Sequence, residues 1–218
     1  MKSRKTTFLL LAVIFSLLFI FVANITSGSL GVRLDEVFAN WADQQTNTLI
    51  NQLMSFASII GSSEVILLVT VLIGLYFLIK RYWHHFFFFF VLSVGGVILN
   101  LTLKLLVKRA RPDDEVSFIE VFDYTFELQS YSFPSGHTMR ATILFLFIIY
   151  LAISGLKRTV FKTIAIIGSI VLLLLVALSR IMLDAHYATD IIGAIVISLA
   201  WFFLCLNFFY PTKARLQN

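Results

Sequence analysis

Long apolar runs alternate with short polar breaks along this chain, and the length of the runs sets the first expectation. Crossing the hydrocarbon core takes about 20 mostly apolar residues, within about 17–25. Residues 7–23, 65–79, 86–106, 138–156, 161–183 and 189–210 meet or approach that length, so the pattern predicts six transmembrane helices. The second run is short and is expected to extend upstream. Between the first two runs, residues 24–48 are polar, with Gly28 and Gly31 as loop markers, and read as a connecting loop. Residues 49–60 follow with Leu49, Ile50, Leu53, Met54 and Phe56 as an amphipathic stretch, too short to span alone, lying at the interface or beginning the second helix. The other long connection, residues 107–133, is the expected roof of any site at that end of the bundle. The five phenylalanines at 86–90 read as lipid-facing or interfacial bulk.

Composition agrees with a chain dissolved in a bilayer. Of 218 residues, 59% are hydrophobic and only 13% charged, with a mean hydropathy of +0.92; soluble domains carry roughly 25% charged residues. The expectation is an all-α integral membrane protein, a six-helix bundle forming one domain over residues 1–218. Cys205 is the only cysteine, so no internal disulfide forms. Cys, His and Glu show no zinc-like spacing, and neither a metal nor a cofactor is expected. The net charge of +5 lacks the basic, aromatic-studded soluble face of a nucleic-acid binder. The expected partners are therefore the bilayer and a lipid substrate, with no obligate protein partner called for.

Charge placement then orients the bundle. Lys2, Arg4 and Lys5 precede the first run, which puts the N-terminus in the cytoplasm by the positive-inside rule. Alternating from there, Lys80-Arg81, Lys157-Arg158 with Lys162, and Lys213 with Arg215 fall on the same side, and the Asp and Glu residues on the other. Both termini are expected inside. The N-terminal apolar run is longer than a usual signal core and lacks a clear small-x-small cleavage site, so it is expected to be retained.

Three polar clusters interrupt the apolar pattern, and the same parity puts all of them on the extracytoplasmic face. They are Lys104 with Arg111-Pro112; Pro134-Ser135-Gly136-His137; and Ser179-Arg180 with His186 and Asp190. Charge at membrane depth is costly and marks function by default, although Lys104 alone could snorkel. Arg111, seven residues on, would return to the same helical face after about two turns, with Pro112 ending the helix. Lys108, on that face too, is a rival inner cation. Ser135-Gly136-His137 sits before an apolar helix, where free backbone N–H groups cradle anions; an ordinary Ser N-cap with an interfacial histidine is the plainer reading. His186 and Asp190 are four apart and would meet on a helix. A carboxylate on one ring nitrogen fixes the tautomer and frees the other to attack. Cations and backbone donors around a histidine supply what phosphoryl transfer needs, compensation of charge on the equatorial oxygens.

These motifs, in this order and at this spacing, resemble the three-part signature of the type-2 phosphatidic acid phosphatase superfamily. The motif core covers residues 104–190, and the six-span layout resembles the membrane branch of that family over nearly the whole chain. The resemblance implies that His186 is the nucleophile forming a phosphohistidine, that Asp190 orients it, and that His137 is the general acid. Lys104, Arg111, Ser135, Gly136 and Arg180 would bind the phosphate, with no metal. It further implies hydrolysis of a lipid phosphate or pyrophosphate at the outer face of a bacterial cell membrane. Undecaprenyl pyrophosphate is the expected substrate, because its product arises on the outer leaflet. Phosphatidylglycerophosphate and phosphatidic acid are the alternatives, followed by a small soluble phosphate or a non-enzymatic phosphate- or lipid-binding role. Transfer to an acceptor other than water also remains open. Arg140, one turn after His137, has two readings: contact with a second phosphate of the substrate, or an ion-pair partner for Asp113, Asp114, Glu115, Glu120, Asp123 or Glu127.

Overall fold

A computed structural model describes residues 2–112, 116–121, 124–129 and 131–210, with side chains over 4–112 and 131–210. Asp113, Asp114, Glu115, Asp123, Lys213 and Arg215 lie outside the described residues, as do the side chains of Lys2, Glu120 and Glu127. In chain order the elements are α1 (Lys2–Ile25), α2 (Ser29–Gln45), α3 (Thr48–Ile60), α4 (Ser63–Ile79), α5 (Trp83–Val107), β1 (Val116–Val121), β2 (Tyr124–Gln129), α6 (Gly136–Gly155), α7 (Thr159–Met182) and α8 (Ala188–Phe209). Six spans are long and apolar enough to cross a membrane, and they correspond to the six runs of the sequence. The second runs from Thr48 to Ile79 through α3 and α4, so the amphipathic stretch at 49–60 begins the second span. Asn47 caps α3 by accepting from the Ile50 N–H at 2.9 Å, and Ser62 caps α4 from the Val65 N–H at 3.2 Å.

Residues 24–48 are not a loop but mostly the helix α2. Leu30, Leu34, Val37, Phe38 and Trp41 recur at helical spacing, a period that polar neighbours and two glycines obscure. Gly31 marks a close approach instead of a turn, because a Cβ there would run into the Ile25 carbonyl at the end of α1. The helix faces the protein with Gly31, Asp35 and Ala42, while Leu30, Val37, Phe38 and Trp41 are exposed. The connection at 107–133 also differs from expectation, since β1 and β2 form an antiparallel hairpin from Val116↔Gln129 to Val121↔Tyr124. Its β-branched and aromatic residues suit strands, but interspersed acids hide the pattern. The membrane-embedded part is all-helical as expected.

α6 and α8 are the most buried spans. α8 packs along α1 and α6, and α6 also meets α4, α5 and α7. The phenylalanine run is divided by the helix it lies on: Phe88 and Phe89 are buried, while Phe87 and Phe90 are exposed. Successive side chains turn about 100°, so five in a row cannot all face lipid. Phe89 stacks on Phe147 of α6 with centroids 4.3 Å apart, which joins α5 to the centre of the bundle. The C-terminal ends of α5 and α7 and the N-terminal ends of α6 and α8 come together at one end.

Candidate active site

The residues singled out by sequence gather there, although not all arrive as expected. α5 ends at Val107, with Lys108 as a left-handed C-cap at φ 52°. Lys108 therefore leaves the helical face and is exposed, which removes it as the inner cation. Arg111 does not follow two turns of helix, and Pro112 does not end one; both lie in the non-helical exit from α5. Lys104 stays on α5 and donates to the Tyr131 carbonyl. The charges of Arg111, Asp190 and Arg140 all act on Lys104, and those of Arg180, Arg140, His186 and Arg111 on His137. The three clusters thus form one electrostatic neighbourhood.

Ser135 is the N-cap of α6, and its Oγ accepts from the Thr138 hydroxyl at 3.1 Å. The Phe133–Pro134 peptide before it is cis. The Pro134 carbonyl accepts from Asn100 Nδ2 at 3.2 Å, and the Ser135 N–H donates to the Asp190 carbonyl at 3.3 Å. These bonds fix the start of α6 against α5 and α8. The positive ends of α6 and α8 are directed at the same region, which favours an anion there. Arg180, in the last turn of α7, donates to Ser58 Oγ of α3 at 2.5 Å.

His186 precedes α8 and is not on it, yet the expected pairing forms. Asp190 is the third helical residue of α8 and reaches back, so that Oδ2 lies 3.4 Å from His186 Nδ1 and accepts from the Tyr187 N–H at 3.0 Å. Asp190 is fully buried and His186 is 3% exposed. Ser132 donates to the same carboxylate oxygen, and its Oγ is 3.3 Å from His186 Nδ1. A proton on Nδ1 satisfies this carboxylate and leaves the Nε2 lone pair available. Burial is the largest cause that holds the His186 pKa below that of a free imidazole; Asp190 pulls it upward, and Lys104 and Arg111 add to the lowering. The lowering favours the neutral ring, whose Nε2 carries a free lone pair.

The other oxygen of Asp190 is held by a residue the motifs did not flag. Arg109 Nη1 donates to Asp190 Oδ1 at 2.6 Å and to Thr189 Oγ1 at 2.7 Å, while its Nη2 donates to Asp35 Oδ2 of α2 at 2.6 Å. Asp35 also accepts from the Thr189 N–H at 2.9 Å and the Thr189 hydroxyl at 3.0 Å. The guanidinium lies 4.1 Å from the centroid of the Tyr187 ring. Burial acts to lower the Arg109 pKa, but Asp190 and Asp35 together outweigh it and hold the group above its ordinary value. A cavity of about 380 Å³ opens beside His186, with Asp35, Arg109, Pro112, Asp184 and Tyr187 among its walls.

A carboxylate-held histidine among cations, at the end of a six-span bundle, is the arrangement the three motifs imply. The sequence model of the PAP2 superfamily matches residues 85–213. The chain belongs to the PAP2 superfamily. It is 30% identical over 179 residues to phosphatidylglycerophosphatase B of Bacillus subtilis (strain 168), covering 80% of this chain and 82% of that protein. Its structure is similar to the crystal structure of a transmembrane PAP2-type phosphatidylglycerolphosphate phosphatase from Bacillus subtilis. The TM-score is 0.74 at 26% identity, over 90% of this chain and 94% of that one. As a multi-pass PAP2 protein of the membrane branch, the chain is a lipid phosphate hydrolase.

Within this PAP2 site, sequence reasoning missed Arg109, Asp35, Ser132 and Ser58. Arg109 had a signal, since it lies between Lys104 and Arg111 inside the first motif. Asp35 had none, being 74 residues away in a segment read as loop.

Proposed function

We propose that the protein hydrolyses phosphatidylglycerophosphate to phosphatidylglycerol and phosphate through a phosphohistidine on His186. The observation that carries the mechanism is the buried His186–Asp190 couple, with the ring neutral and Nδ1 engaged. His186 Nε2 gives its lone pair to the terminal phosphorus, and the bond from phosphorus to the glycerol oxygen breaks. His137 gives its proton to that leaving oxygen. Water then attacks the phosphohistidine, His137 takes a proton from the water, and the N–P bond breaks to release phosphate. Lys104, Arg111, Arg180, Ser135 and the Gly136 N–H stand for the transition-state charge compensation that phosphoryl transfer requires.

Similarity to the Bacillus subtilis phosphatase moves the preferred substrate from undecaprenyl pyrophosphate to phosphatidylglycerophosphate. The site faces the extracytoplasmic side in this reading, supported by Lys80-Arg81, Lys157-Arg158 and Lys162 at the opposite end of the bundle. The test is phosphate release by purified protein in detergent with EDTA present. Phosphatidylglycerophosphate, undecaprenyl pyrophosphate and phosphatidic acid are compared side by side, with His186→Ala as control. Highest kcat/KM on phosphatidylglycerophosphate, abolished in His186→Ala while substrate binding persists, is the expected result. Equal turnover in His186→Ala would remove the phosphohistidine, and a clear preference for undecaprenyl pyrophosphate would replace the substrate.

A further inference from the structure

Arg140 stands apart from the pairing that holds the other cations. It lies five residues after the N-cap Ser135, with its guanidinium beside the phosphate cradle: Nη1 is 3.2 Å from where a Cβ on Gly136 would stand. Its Nε is buried without a hydrogen-bond partner. No ion pair or hydrogen bond ties it to another described residue; Arg180 has a buried Nε without a partner too, but its Nη1 donates to Ser58, and Arg109 has two carboxylates. Glu64 of α4 is the carboxylate whose charge acts on it, without bonding it. A buried donor on a charged group left unmade is costly, so a guanidinium kept this way points to an anion that completes it.

Behind Arg140 lies an apolar space. The same side chain lines a cavity of about 300 Å³ between α4, α5 and α6, walled by Ile66, Leu67, Val94, Val97 and Ile143. Leu67, Val94 and Val97 are exposed on the outer surface of the bundle, so this cavity opens toward lipid. Arg140 therefore sits where an apolar cavity meets the phosphate cradle, one turn from His137 and close enough for its charge to act on His137 and Lys104. A lipid with a single phosphate would fill the cradle and leave Arg140 without its anion. An amphiphile with two phosphates fits both positions.

We propose that Arg140 binds a second phosphate of the substrate, the phosphodiester next to the diacylglycerol, and so selects two-phosphate lipids over one-phosphate lipids. The assignment rests on the lipid phosphatase reading above, and names the group that reads the substrate at that same site. The terminal phosphate occupies the cradle, the internal phosphate pairs with Arg140, and the first part of an acyl chain enters the apolar cavity.

Arg140→Met and Arg140→Lys, assayed on phosphatidylglycerophosphate and on phosphatidic acid with the same acyl chains, test it. Loss of a charge-assisted contact predicts a roughly 10- to 100-fold fall in kcat/KM on phosphatidylglycerophosphate for Arg140→Met, mainly through KM. Turnover of phosphatidic acid should fall less, by only the part that comes from the Arg140 charge on His137 and Lys104, so the ratio of kcat/KM on phosphatidylglycerophosphate to that on phosphatidic acid should drop several-fold. Arg140→Lys keeps the charge without the fork and should lose selectivity by a smaller factor; it carries the test should Arg140→Met fail to fold. An equal fall on both lipids in Arg140→Lys, or no fall on phosphatidylglycerophosphate in Arg140→Met, overturns the assignment while leaving the phosphatase reading in place. A folded wild-type protein inactive on both lipids overturns the two together.

Discussion

Arg109→Met is the perturbation that most directly tests how this site is held. In the wild type one guanidinium joins Asp190, which is fully buried, to Asp35, whose side chain is 5% exposed. Removing it leaves two carboxylates facing the same vacated space. Taking one partner from a buried pair costs about 3–5 kcal/mol. Arg109 is itself 14% exposed and borders the cavity beside His186, so water enters and the cost falls toward about 2–3 kcal/mol. Expressed in turnover, that is a loss of roughly 30- to 150-fold if it falls wholly on the active arrangement of Asp190 and His186. Arg109 holds Asp190 and not the substrate, so the loss should appear in kcat with KM little changed. The assay is steady-state kinetics on phosphatidylglycerophosphate with thermal unfolding in detergent, repeated for Asp35→Asn and for the double variant. Asp35→Asn removes one of the two repelling charges, so the double variant should be better than additivity predicts. Wild-type kcat and melting in Arg109→Met would refute the reasoning, as would an additive cycle. A change confined to KM would instead make Arg109 a substrate contact.

Further outcomes follow from the same geometry. Gly193→Ala places a Cβ 2.5 and 2.6 Å from ring atoms of the fully buried Phe133; overpacking of this kind costs about 1–3 kcal/mol. Melting should fall, and turnover with it, because Phe133 leads directly into Pro134-Ser135; unchanged melting would contradict the packing argument. The pH profile should show an acid limb for His186 below about 6.5, since burial lowers its pKa and the neutral ring attacks. Asp190→Asn removes the group that pulls this pKa up, so the limb should move further toward acid as kcat drops. A limb displaced to higher pH would reverse the sign of the argument. The same depressed pKa means the unfolded chain takes up this proton first, so stability should decline as pH falls from about 6.5 through the folded value, measurable as melting temperature against pH.

The sequence carried the spans because a length of apolar residues is a one-dimensional property, and hydrocarbon thickness reads it directly. It carried His186 and Asp190 for a similar reason, since a spacing of four brings them together although His186 stands before the helix. Arg111 and Lys108 show where the same logic fails. A helical face extrapolated past Val107 fails because the left-handed Lys108 ends α5, leaving Lys108 exposed and Arg111 off the helix. α2 reads as a loop in sequence because an amphipathic helix bearing Asp35, Glu36 and Asp43 has the composition of one. Its bond to Arg109 joins residues that no local pattern relates. The electrostatic partners of Asp190 are thus visible only in three dimensions, while the His186–Asp190 pair itself is legible in one.

α2 is turned inside out compared with a helix of a soluble protein. Its polar anchor, Asp35, faces inward to Arg109, and Leu30, Val37, Phe38 and Trp41 face away from the protein. Such a helix has no reason to stay extended over open water, and every reason to lie in the boundary between headgroups and acyl chains. Lying there, α2 would moor one wall of the cavity beside His186 on two sides, by the ion pair within and by the lipid surface without. A change in that surface would then bear on the same guanidinium that bonds Asp190. The geometry around His186 and Asp190 would in this sense be a joint property of the chain and the leaflet on which it rests.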